Sequence, residues 1–90
     1  MTLKIAYNNK SEPLVTEILE NKYPNLTVIC YNEDNYKEKK EAFTIKGSWG
    51  ARVAPFAILL DDNNKGIKAF YSESEECTFD NINNTLIMYE

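Results

Sequence analysis

The sequence has no histidine, only two cysteines, and no apolar run longer than a strand. Without His the chain lacks the side chain that titrates nearest neutral pH, the usual general base and the commonest metal ligand. Two cysteines without His do not make a standard structural zinc site, so no metal is expected. The longest apolar run, Phe56 to Leu60, falls far short of the roughly 20 residues a membrane-spanning helix needs. Met1 to Tyr7 is short and followed at once by polar residues, so no signal peptide is expected. A cytoplasmic, reducing setting is the corresponding expectation. Basic residues are also in deficit: ten Lys and Arg stand against fourteen Asp and Glu, a net charge of -4. Nucleic acid and anionic membrane surfaces are therefore not expected partners, because phosphate binding is dominated by Lys and Arg. The one basic run, Lys37 to Lys40, has Glu38 inside it and Glu41 directly after it, and reads as a solvated helix face.

What is present is enough for a core. Of 90 residues, 43% are hydrophobic and 12% aromatic, which suits a single domain over residues 1–90. Heavy use of Asn and Lys hints at an AT-rich coding genome, bacterial or phage. Leu3 to Tyr7 alternates as a strand. Ser11 is the expected N-cap of a helix that carries Pro13 in its first turn and Leu14, Val15, Ile18 and Leu19 at helical spacing; Pro24 limits its extent. Leu26 to Tyr31 is β-branched and apolar, which predicts a buried second strand. A polar helix is expected from Asn35 to Phe43, with Tyr36, Ala42 and Phe43 facing inward, and then a loop from Gly47 to Gly50. Phe56 to Leu60 predicts the third strand, Asp61 to Gly66 a hairpin turn, and Ile67 to Tyr71 the fourth strand. Thr78 is placed to cap a last helix whose face is Phe79, Ile82, Leu86 and Tyr89.

The order is strand, helix, strand, helix, strand, strand, helix. A βαβ first half implies two parallel strands with a right-handed crossover, and the second half is a hairpin closed by a helix. The expected class is α/β, a four-stranded mixed sheet flanked by helices, with Ile5, Val28, Ile29, Ile58, Leu59, Phe70 and Leu86 in the core.

Two segments carry a resemblance to a known family. The first is Trp49-Gly50-Ala51-Arg52-Val53-Ala54-Pro55-Phe56. It is similar to the thioredoxin pattern of an aromatic residue, Gly, any residue, Arg, two more residues and a proline opening the third strand. The resemblance implies a thioredoxin-like fold and a cis bond between Ala54 and Pro55. It also places Pro55 beside the start of the first helix, near Glu12 and Pro13. The second segment, aligned on Tyr7, resembles the glutaredoxin start, but Glu12-Pro13-Leu14-Val15 stands where Cys-Pro-x-Cys would be. Dithiol exchange needs a thiolate at the helix start and usually a second thiol to resolve the mixed disulfide. Glu12 and Val15 supply neither, so an enzyme of that kind is not expected. Glu12 is also simply a good first-turn residue.

The remaining candidates are few. Cys77 and Thr78 precede the last helix, where glutaredoxins bind the glutathione carboxylate through backbone N–H groups. The rival reading is accordingly a glutathione-dependent or monothiol redox protein using Cys77. Against it, Glu75 and Glu76 offset the helix dipole at that thiol, and the acidic stretch Ser72 to Glu76 would repel glutathione. No cofactor is expected in the leading reading. Cys30 reads as a small buried hydrophobe. Arg52 would guide an anionic ligand and Trp49 would stack on it, or they are a surface ion pair and a satellite cluster. A third reading is a small-ligand binder with a glutathione-like groove. What the resemblance implies most directly is strand addition: the main chain at Val53, Ala54 and Pro55 pairing with an extended protein or peptide partner in a redox-inactive binding or assembly module.

Overall fold

Alternation sets the first strand, β1 (Thr2–Tyr7), in the computed structural model, which describes residues 1–89. Leu3 and Ile5 turn to one face, Thr2, Lys4 and Ala6 to the other. The chain then makes one 3-10 turn, Asn9–Ser11, before α1 (Glu12–Asn21). Ser11 does occupy the N-cap position of α1, but its side chain makes no capping bond to that helix. Instead its hydroxyl accepts from the Asn8 N–H at 3.0 Å while the Asn8 carboxamide accepts from the Ser11 N–H at 2.9 Å. Pro13 sits in the first turn, where its missing N–H has no intrahelical partner to lose. Lys22, at φ 49°, ends α1 in the left-handed region.

β2 (Thr27–Asn32) runs parallel to β1. It is followed by α2 (Lys39–Ser48), β3 (Phe56–Leu60), β4 (Gly66–Phe70) and α3 (Phe79–Tyr89). The sheet order is β2-β1-β3-β4, with β3 antiparallel to both β1 and β4. Over the described residues the protein is thus α/β, a four-stranded mixed sheet with three α-helices.

Three expectations are corrected. The second strand is an edge strand, and none of its residues is fully buried; Val28 and Ile29 are half-buried. A β-branched run looks the same in sequence at an edge as at a centre, but at the edge one flank has no neighbour. The other core residues named from the sequence, Ile5, Ile58, Leu59, Phe70 and Leu86, are buried. The second helix also starts later and runs further than expected. Asn35 is taken up in turns, its side chain accepting from the Lys37 N–H and its carbonyl from the N–H groups of Glu38 and Lys39. That shifts the inward face to Ala42, Ile45 and Lys46, and leaves Tyr36 95% exposed and Phe43 48% exposed. Tyr89 is likewise exposed, and α3 buries Ile82, Thr85 and Leu86 instead.

Burial divides between the faces of the sheet. α1 and α3 close one face over Leu3, Ile5, Ala57, Leu59 and Phe70. On the other face Phe56, Ile58, Leu60 and Ala51 form a smaller cluster with Ile45, Ala69 and Tyr71 packed against it.

Candidate functional site

Because β1 and β3 are antiparallel and Ala6 stands opposite Phe56, the end of β1 and the start of β3 fall at the same end of the sheet. α1 begins five positions after Tyr7, so Glu12 and Pro13 also start from that end. Both are exposed. Glu12 is close enough to Tyr7 to influence its phenol, whose pKa is raised first by burial and then by Glu38, Cys30 and Glu12. Val15 is buried.

The loop between α2 and β3 is tied down residue by residue. The Ala51 N–H donates to the Lys46 carbonyl at 2.9 Å, and the Trp49 carbonyl accepts from the Tyr71 hydroxyl at 3.0 Å. The Glu73 carboxylate accepts from the N–H groups of Arg52 (3.4 Å) and Val53 (3.3 Å). The Ser72 hydroxyl donates to the Pro55 carbonyl, and the Ala54–Pro55 bond is cis, the isomer expected for it. Ala54 stands out: it is 6% exposed, and among the described residues no hydrogen bond uses its N–H or its C=O. Buried main-chain groups are nearly always paired, with protein or with water.

Trp49 is not gathered with this loop's end. A Cβ added to Gly66 would meet its Cη2 atom at 2.4 Å, so the indole lies against Gly66, at the far end of β3 from Pro55. The Arg52 side chain is exposed.

Cys77 is buried, and both cysteines are free. Burial pushes the Cys77 thiol from its ordinary 9.0 up to about 12, against a smaller downward pull from a hydrogen bond with the Ala57 main chain. Cys30 is raised too, by burial and then by Glu38. Thr78 caps α3: its hydroxyl accepts from the Asn81 N–H at 3.3 Å and its carbonyl from the Ile82 N–H at 3.1 Å.

Two features have no counterpart in the sequence reading. Glu73, which occupies the Arg52 and Val53 amides, looked like one more acid in a solvated loop. Lys46 is buried in an ion pair with Glu33, its ammonium also 4.6 Å from the centre of the Phe43 ring. Only the late start of α2 reveals that its face is inward. Beside it, Lys4, Tyr31, Lys40, Glu41, Thr44 and Ile45 line a shallow groove of about 190 Å³.

Compared with known proteins, the chain matches no family model, no curated protein and no solved structure. Among the described residues no helix is long and apolar enough to cross a membrane.

Proposed function

We propose that the chain is a thioredoxin-like domain that binds an extended protein or peptide segment at the cis-proline loop and carries out no thiol–disulfide exchange. The observation that carries this reading is Ala54. Its N–H and C=O have no partner within the described chain, although the residue is nearly buried. An extended segment laid beside the loop would satisfy both groups by strand addition, which uses main-chain groups and needs no sulfur. Glu73 narrows the site, because the neighbouring Arg52 and Val53 amides are already occupied. Glu12, exposed at the same end of the sheet, makes basic side chains the better company for such a segment.

The rival, a monothiol or glutathione-dependent redox protein using Cys77, finds little support in that thiol. A nucleophile must be both accessible and ionised, and Cys77 is buried with its pKa raised. The test has two readouts. Titration of ¹⁵N-labelled protein with extended basic peptides is expected to shift the Ala54 amide most, with Phe56 following. Reduction of a glutathione mixed disulfide is expected to stay at the background of an ordinary free thiol. Peptide binding that leaves Ala54 unmoved would overturn the binding site. Steady turnover that disappears in Cys77→Ser would overturn the redox-inactive reading and establish its rival.

A further inference from the structure

The two edges of the sheet are unlike. β4 is five residues long, carries an irregularity where it meets Leu59 and Leu60, and displays Lys68 outward. A short strand, a bulge and a lysine are the usual devices that stop an edge from pairing with another chain. β2 has none of them. It pairs with β1 without a break over six residues, and the run Leu26 to Asn32 contains no charge, no proline and no glycine.

The parallel ladder also fixes which main-chain groups β2 leaves open. The Thr27 N–H donates to Met1 and the Glu33 N–H to Tyr7, so the odd-numbered residues face β1. Val28, Cys30 and Asn32 therefore turn their N–H and C=O groups away from the sheet. The Asn32 carbonyl is taken by the Asn35 N–H in the following turn. Among the described residues no hydrogen bond uses the N–H or C=O of Val28 or Cys30.

We infer that β2 is the assembly edge of this protein and that its partner is the β2 strand of a second copy, antiparallel across a two-fold axis. The occupant follows from self-complementarity. With Ile29 on the axis, Val28 of each copy exchanges both hydrogen bonds with Cys30 of the other. All four open N–H groups and carbonyls of the pair's central residues are then satisfied without changing either protomer. Side chains agree with that register. Ile29 meets its own symmetry mate, Thr27 meets Tyr31, and Val28 meets Cys30, so no like charges oppose one another. The join makes one eight-stranded sheet from the two four-stranded ones. Each protomer carries a net charge of -4, so association strengthens as salt screens the repulsion. The Ala54 loop leads into β3, which β1 separates from this edge, and so remains open in the dimer.

Sedimentation velocity over a concentration series tests this directly. The mass should rise from the protomer's 10.4 kDa towards twice that value, at lower concentration in high salt than in low. Hydrogen exchange should show the Val28 and Cys30 amides slowing with concentration while Lys68 does not change. Ile29→Lys and Ile29→Glu should each sediment as monomers, since each sets like charges on the axis. Mixed in equal amounts they should associate again, an outcome that misfolded variants would not give. Val28→Pro, which removes one outward donor and no bond to β1, should also weaken the dimer at least tenfold. A wild type that stays monomeric at millimolar concentration overturns the inference, as does a dimer that Ile29→Lys leaves intact. So does protection of Val28 and Cys30 by added peptide alone, with no change of mass.

Discussion

On one face of the sheet two helices, α1 and α3, close over Leu3, Ile5, Leu59 and Phe70. On the other, a single helix and the loop after it cover Phe56, Ile58 and Leu60. A helix with its side chains is about 10–12 Å wide, whereas four strands at about 4.8 Å spacing make a wider floor. One helix therefore cannot roof the whole face. α2 lies over β1 and β2, and the β3–β4 side is left to Trp49, Ala51 and Tyr71. Polar groups collect on this thinner side: the buried Lys46–Glu33 pair, and the groove at Lys4 and Lys40. The difference teaches where stability and adaptability reside. The two-helix face is covered from two sides, and removing atoms there opens a void. The one-helix face has side chains near solvent that can shift to fill or vacate space.

Leu59 and Ile58 are neighbours in β3 and point to opposite faces, which makes them a matched pair for this contrast. Leu59→Ala should cost about 3–5 kcal/mol, because its surroundings are held by two helices and collapse poorly. Ile58→Ala should cost about 2–3 kcal/mol, because Ile45 and Tyr71 beside it can relax into the space. Urea unfolding with an unchanged m-value measures both. Equal losses would break the comparison, and a loss below about 1 kcal/mol at Ile58 would remove it from the core altogether.

The ion pair gives the next largest effect. Lys46→Met leaves the Glu33 carboxylate partly buried without its cation, and should cost about 2–3 kcal/mol, somewhat less than for a fully enclosed pair. Adding Glu33→Gln to Lys46→Met should recover more than half of that loss, because the stranded charge is then gone. If Lys46→Met costs no more than an exposed substitution, the one-helix face is wetter than its geometry says.

How much of this was legible in the sequence depended on whether the signal was local. Phe56 to Leu60 is a strand on any reading, since five consecutive apolar residues run from a proline to an aspartate turn. Pro13, Pro24 and the Asp61 to Gly66 turn mark boundaries by backbone chemistry alone. The start of α2 was not legible, because Asn35 caps a turn as readily as a helix and Tyr36 and Phe43 look like a buried stripe. Position in the sheet was not legible for β2 either, as nothing in Leu26 to Asn32 reports how many neighbours the strand has. For the candidate site, the Trp49 to Phe56 pattern led to the loop, and Thr78 led to the α3 cap. Glu73 did not, since its role depends on meeting two amides twenty residues earlier in the chain. Cys77 reads in sequence as an ordinary thiol, with the helix dipole and the neighbouring acids offsetting one another. Its burial, which outweighs the other influences on the thiol, is a tertiary property.

The smallest expected effect lies at the thin side's outer margin, where Trp49 rests on Gly66. A Cβ at Gly66 would come within 2.4 Å of the indole Cη2 and 2.9 Å of Cζ2, too close for the ring to stay where it is. The indole is 41% exposed, so it can swing outward without disturbing the strands beneath. Gly66→Ala should therefore cost only about 1–2 kcal/mol, the low part of the usual range for overpacking. Its fluorescence, from the chain's one tryptophan, should move to longer wavelength as the ring enters water. The comparison is sharpened by removing the obstacle. In a Trp49→Ala background the same Gly66→Ala change should cost nothing further, because the steric conflict is gone and alanine suits an edge strand better than glycine does. If Gly66→Ala leaves both stability and emission unaltered in the parent protein, the indole does not cover β4. The one-helix face would then be open over half its width, and the buried state of Ile58 and Phe56 would need another cover.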